Sequence, residues 1–255
     1  VSGRHVGWGS GVYKSRDGGA TWHNVGLEAS EHIGKILIHP GAGSTALVAA
    51  EGPLWASGGE RGVFKTTDGG ETWSHVLDID ENTGVTDLEF DPGDPDVVYA
   101  ATYQRRRHIW GLMSGGASSG IYKSTDGGTT WQHIGLRETQ NISRIRIHPE
   151  DCDVAWAAAF GVHSADNSER GVFKTTDGGE SWDLSLFKSA KAGATDLVLD
   201  RNNPDVLYAT IWEAWRKSWG MSSGGNDSGL WKSSDGGDTW RDITSRLGLE
   251  PAGPI

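Results

Sequence analysis

The chain is 255 residues long, 22% charged and 36% hydrophobic, with a formal net charge of −11. That length supplies material for a sizeable core in one or two domains. The acidic balance argues against nucleic acid as a partner, and no apolar run approaches the roughly 20 residues that span a bilayer.

In chain order, the sequence from Val1 reads as the end of a loop followed by a short hairpin that closes at Trp22. The next unit predicts four strands: strand A over Ile33–Ile38, strand B over Ala46–Ala50, strand C over Gly62–Thr66 and strand D over Thr72–Val76. The unit after it repeats the order at Leu88–Phe90, Val97–Thr102, Ile121–Ser124 and Thr130–Ile134. Two further units follow. Proline-bearing turns such as Asp91–Pro95 and Asn202–Pro204 separate strands A and B, and nothing sustains helical periodicity. The unit boundaries fall near 1–26, 27–77, 78–135, 136–186 and 187–245, with 246–255 as a tail or linker. Opening and closing in mid-pattern, the chain reads as a piece of something longer.

One pattern, [ST]-x-D-G-G-x-[ST]-W, recurs five times, with its aspartate at Asp17, Asp68, Asp126, Asp177 and Asp235 and its tryptophan at Trp22, Trp73, Trp131, Trp182 and Trp240. The aspartates stand 51, 58, 51 and 58 residues apart, so short and long units alternate in a double repeat of 109 residues. The pattern has a mechanical reading. The carboxylate accepts backbone N–H bonds across a C–D turn, the glycines supply positive φ, and the indole packs between adjacent sheets. Five identical active sites in one chain would be odd, whereas repeated units explain five identical clasps. Small sheets of four strands at about 50-residue spacing point to an all-β fold, a β-propeller of four-stranded antiparallel blades. The chain would hold four complete blades and one C–D hairpin, an arc of a larger ring.

The motif resembles the Asp-box, or BNR repeat, of sialidases, xyloglucan-degrading propeller enzymes and sortilin/VPS10 receptors. The stretches His32–Ile36, Asp80–Gly84, Gln104–Arg107 and Ser119–Ser124 are similar to large bacterial BNR-repeat proteins of the sortilin-like and glycosyl-hydrolase-like kind. The resemblance implies a propeller and a secreted, periplasmic or cell-surface location. It does not single out an activity, because this architecture hosts many.

In a propeller the A–B and C–D turns share one rim, and the B–C and D–A loops share the other. The unusual residues are expected on the second rim. The long units carry B–C loops with Tyr103, Arg105, Arg106, Arg107 and Trp110, and with Trp212, Trp215, Arg216 and Trp219, each continuing into a Ser/Gly-rich stretch at 114–120 or 222–229. Aromatic rings beside arginine suit sugars and anionic ligands. In the competing structural reading, Trp110 and Trp219 plug gaps between blades and the arginines pair with Asp78, Asp80 or Glu81.

Strand A holds two alternating columns: Lys35, Asp87, Arg144 and Asp196, then His39, Asp91, His148 and Asp200 four residues later. Both columns are expected to pair laterally around a central channel. Asp87 and Asp196 are also candidates for a site at the channel mouth. A glycosidase needs two carboxyl groups about 5–10 Å apart, and no local signature here separates an acid from a nucleophile. The residues imply no cofactor and no metal spacing. Two functions stay open: a scaffold that binds glycans or proteins, and part of a polysaccharide-degrading glycoside hydrolase whose site is shared with a missing module. The expected partners are a polysaccharide or protein ligand and the remaining blades of the parent chain.

Overall fold

The computed structural model describes residues 7–247, so positions 1–6 of the first unit and 248–255 of the expected tail lie outside the described residues. A short hairpin comes first, β1 (Tyr13–Lys14) against β2 (His23–Asn24). The second sheet orders β3 (Ile33–Ile38), β4 (Ala46–Ala50), β5 (Gly62–Thr66) and β6 (Ser74–Leu77) as an antiparallel meander. The third is built on β7 (Thr83–Phe90) and β8 (Val98–His108), with β9 (Gly111–Ser114) folded back on the far end of β8, then β10 (Gly120–Ser124) and β11 (Gln132–Gly135). The fourth has β12 (Ile142–Ile147), β13 (Ala155–Ala159), β14 (Gly171–Thr175) and β15 (Asp183–Leu186). The fifth repeats the third with β16 (Ala192–Leu199), β17 (Val206–Lys217), β18 (Gly220–Ser223), β19 (Gly229–Ser234) and β20 (Arg241–Asp242). The sheets are the blades of a β-propeller. Among the described residues no helix is long and apolar enough to cross a membrane.

Burial follows from strand order. The second strand of each full blade is sandwiched between neighbours in its own sheet and the next sheet, and it is written in small and branched apolar residues. Leu47, Ala49 and Val63 of one blade pack on Val85, Leu88, Val98 and Ala100 of the next. Each fully buried leucine contributes roughly 1.5–3 kcal/mol. Ile36 occupies the position of Leu88, Ile145 and Leu197, which are fully buried, yet it is 44% exposed on the side facing the β1–β2 hairpin.

The Asp-Gly-Gly turns are self-contained clasps. Asp68 accepts from the Thr72 amide at 3.0 Å and the Thr72 hydroxyl at 2.5 Å, and Thr66 donates to it at 2.7 Å. Gly69 and Gly70 sit at φ 78° and 93°, where a Cβ would be strained. These hydrogen bonds hold Asp17 and Asp235 down at about 2 and lower Asp68, Asp126 and Asp177 as well. Because Thr72 and Trp73 belong to the clasp, strand D starts at Ser74, two residues later than the sequence predicts. The Gly69 amide donates to Ser44 O at 2.8 Å, and Gly127, Gly178 and Gly236 repeat the bond to their own A–B turns. Clasps and A–B turns therefore share one rim, and the B–C segments lie on the other.

The clasp tryptophans reach backwards. Trp73 Nε1 donates to Val25 O at 2.6 Å and Trp182 Nε1 to Ile134 O at 3.0 Å, both in the preceding blade. Trp131 packs against the buried cluster that holds Leu47, Ala49 and Val63 of the preceding blade, and Trp240 donates to Ser185 at 2.9 Å. Trp22 departs from the expected packing: it is 60% exposed and bonds only within its own turn, to Gly19 O. Lysines on the third strand reach forward. Lys14 donates to Gly69 O and Lys123 to Gly178 O, tying each blade to the next clasp.

The first charged column pairs laterally. Lys35 meets Asp87 at 2.9 Å and Arg144 meets Asp196 at 2.8 Å, with Arg146 and Arg201 on Glu89 just outside. Asp87 is fully buried and also accepts from the Leu88 and Ile145 amides. The second column does not pair. His39, Asp91, His148 and Asp200 each turn back to accept the amide two residues on, capping their own A–B turns.

Candidate functional site

The long B–C segments are not loops. Strands β8 and β17 continue past the blade and fold back through two-residue turns, pairing His108 with Gly111 and Lys217 with Gly220. Tyr103, Arg105 and Arg107 fall on one face of β8 by the two-residue alternation of a strand, and Arg106 on the other. Trp110 and Trp219 occupy the turns and are 82% and 79% exposed, so neither plugs a gap between blades.

The short B–C segments are held differently. In the second blade the buried Arg61 donates to the carbonyls of Glu51 and Ala56 at 2.8 Å, of Gly58 at 3.0 Å, and of Pro53. Arg170 does the same in the fourth blade, donating to Lys191 O at 2.8 Å, Ala165 O at 3.1 Å and Val162 O. Burial, then the nearby Arg105, lowers Arg61 to about 10. A buried guanidinium solvated by carbonyl oxygens takes the place of a hydrophobic plug. Each hairpin then leans on the short loop before it: Arg107 N donates to Leu54 O at 2.7 Å, and Arg216 N to His163 O at 2.8 Å.

Between the two hairpins lies a cavity of about 670 Å³, walled by Trp55, Arg107, Trp110, His163, Arg216 and Lys217. It shares Arg107 and Arg216 with a second hollow that also touches Tyr103, Arg105, Glu31 and Glu51. A third hollow, nearer the innermost strands, adds Asn141, Phe160 and Trp212 and shares His163 with the first. Together they form one basin on the rim opposite the clasps.

A hydrogen-bond chain crosses its floor. Tyr103 OH meets Ser114 Oγ at 2.8 Å, and Ser114 Oγ meets His163 Nδ1 at 2.7 Å. His163 stacks on Phe160, with centroids 4.2 Å apart. Burial, then Arg170 and Arg216, pushes His163 down to about 4, and burial raises the Tyr103 phenol. Both are neutral near pH 7, so the chain offers uncharged donors and acceptors. With a phenol in third place, it is a hydrogen-bond relay and not the carboxylate-oriented set of acyl transfer. Arg105 pairs with Glu51 at 2.8 Å, and the Arg107 guanidinium sits 5.5 Å from the Trp55 ring. Asp80, expected to pair with the arginines, instead accepts from the Asn82 amide and the Thr83 hydroxyl.

Of the residues expected at a site, Tyr103, Arg105, Arg107, Trp110, Trp212 and Arg216 converge on the basin. Arg106, Trp215 and Trp219 do not line it, and Asp87 and Asp196 stay in the ion-pair belt. Sequence reasoning missed Glu51 as the partner of Arg105, the relay through Ser114 and His163, and the buried Arg61 and Arg170. The one available signal was the near-identity of 61–73 and 170–182, which places an arginine first in both. Among the described residues no group of three His, Cys, Asp or Glu is placed to hold a metal ion.

The chain is 26% identical over 251 residues to a xyloglucanase of a Paenibacillus species, covering 91% of this chain and 23% of that protein. It is 24% identical over 210 residues to a xyloglucanase of Acetivibrio thermocellus, covering 71% of this chain and 22% of that protein. It therefore spans about a quarter of the length of these curated relatives. Among solved structures it is similar to an ancestral GH74 enzyme, with a TM-score of 0.66 at 21% identity, covering 96% of this chain and 29% of that one. A GH74 xyloglucanase from Xanthomonas campestris matches with a TM-score of 0.58 at 12% identity, over 96% of this chain and 50% of that one. The family model described as "Sortilin, neurotensin receptor 3" matches residues 10–112 and 119–248, and the chain belongs to this Sortilin-Vps10 family.

Proposed function

We propose that this chain is a propeller segment of a secreted or surface glycoside hydrolase, and that its basin holds the polysaccharide. The observation that carries the reading is the placement of Trp55, Trp110 and Trp212 with Arg107 and Arg216 around confluent hollows on a single rim. Flat aromatic faces stack on pyranose rings, and the neutral Tyr103–Ser114–His163 relay matches sugar hydroxyls, which both donate and accept. The kinship with xyloglucanases favours a polysaccharide as substrate. Glu31 and Glu51 are the carboxylates that line the hollows. The rest of the catalytic cleft, in this reading, comes from elsewhere in a longer protein. Further blades of the same ring then cover Trp22, Tyr13, Ile36 and Ile38, which line an apolar groove beside the first hairpin.

A binding role without hydrolysis is favoured by one observation, the capture of Glu51 by Arg105 at 2.8 Å, which occupies that carboxylate with an ion pair. Reducing-sugar release from xyloglucan by the full-length protein tests the two. Release that falls sharply in Trp110→Ala and Trp212→Ala supports the hydrolase. Retention of xyloglucan without release leaves the binding role. Neither release nor retention of any polysaccharide tried, neutral or acidic, ends both.

A further inference from the structure

The cavity between the hairpins differs in charge from the molecule around it. The chain carries a net charge of −11, yet Arg107, Arg216 and Lys217 line this cavity and, among the described residues, no Asp or Glu does. The cations come from equivalent places. Arg107-His108-Ile109-Trp110-Gly111 and Arg216-Lys217-Ser218-Trp219-Gly220 stand 109 residues apart and form the same two-residue hairpin turn. Each tip offers an arginine, a second basic side chain and an exposed tryptophan. The arginine backbones are pinned by the preceding loops, at Leu54 O and His163 O. Lys217 is steadied between Trp215 and Trp219, 5.4 and 5.6 Å from their rings. Two such units side by side fit a ligand that itself repeats.

We propose that this cavity binds the anionic units of an acidic polysaccharide, with a sugar ring against Trp110 and its carboxylate or sulfate group among Arg107, Arg216 and Lys217. The inference rests on the saccharide reading above and adds the substrate class. Cations gathered in one cavity repel one another, and a bound anion removes that cost. An arginine fork matches the two oxygens of a carboxylate or sulfate and fixes the ring's orientation as well as its charge.

Affinity electrophoresis of the full-length protein tests the proposal, through gels containing polygalacturonate, a sulfated galactan or neutral xyloglucan, at low and high salt. Retardation by an acidic polymer that fades at high salt is expected, and whichever gel retards more identifies the anion as carboxylate or sulfate. Arg216→Gln is expected to weaken that retardation roughly tenfold, with Arg216→Lys recovering part of it. Lys217→Gln, at an exposed side chain, gives the same direction should Arg216→Gln melt early. Equal, salt-insensitive retardation in neutral and acidic gels overturns the acidic class and leaves the saccharide site standing. No retardation in any gel, by protein with an intact melting curve, overturns both. Binding that survives loss of all three cations, or that poly-glutamate matches, also overturns it.

Discussion

The two rims of this propeller are built on opposite principles. On the clasp rim, five near-identical turns direct their aspartates inward, onto their own Ser or Thr and amides, and the tryptophans of three of them bond to the blade behind. On the hairpin rim, equivalent blades differ, cations crowd together, and tryptophans stand at turn tips with their rings in solvent. The difference teaches how to read a repeat protein. What recurs letter for letter is doing mechanical work, and the surface left over for a ligand is where long and short units diverge.

That contrast can be broken at several points, the most severe first. Asp87 anchors the inner belt between Lys35 and Arg144 with no solvent access. Asp87→Asn removes the carboxylate facing Lys35, while Arg144 keeps Asp196, and is expected to cost about 3–5 kcal/mol in chemical denaturation. Saccharide retention by the folded fraction should be unchanged. Retention lost at full stability would move the site to the channel mouth.

Acid separates the rims next. His163 is lowered to about 4, so below its unfolded pKa near 6.5 the unfolded chain binds a proton that the folded chain refuses. Its contribution is complete above about 6.5 and is lost as pH falls toward 4. The clasp aspartates, lowered to about 2 at Asp17 and Asp235, contribute above about 4 and lose that contribution between 4 and 2. Two separate acid limbs are therefore expected in a pH series of thermal melts, and His163→Asn should flatten only the upper one. A single limb below 4 would mean that His163 is solvated.

Trp182→Phe keeps a six-membered ring and removes the pyrrole with its hydrogen bond to Ile134 O, so a loss of about 1–3 kcal/mol is expected. Trp110→Ala should change stability by less than about 0.5 kcal/mol, since its ring is 82% exposed, while abolishing saccharide retention. The reverse ranking would make Trp110 a packing residue and undo the contrast between the rims.

Much of this was legible in the sequence. Ile33–Ile38, Ala46–Ala50 and Gly62–Thr66 are the strands the pattern predicts, because their burial alternates or runs continuously as a stacked blade requires. The lateral pairing of Lys35 with Asp87 was legible because facing blades repeat in register. The hairpins were not. Residues 103–108 are polar at nearly every position, and a strand with no apolar face gives no period-2 signal, so its pairing shows only in three dimensions. Arg61 and Arg170 escaped for the opposite reason: arginine is read as a surface residue, and carbonyl oxygens that solvate a buried one leave no mark in composition. The second column of strand A misled because alternating charge looks like pairing, although each side chain caps its own turn.

Hydrogen–deuterium exchange of the full-length protein with and without a saturating acidic oligosaccharide addresses the division between rims most directly. Slowed exchange confined to 103–114, 160–164 and 212–223, with the five Asp-Gly-Gly turns unchanged, is the expected result. Slowed exchange at the turns around Asp68, Asp126 and Asp177, with the hairpins unaffected, would contradict it.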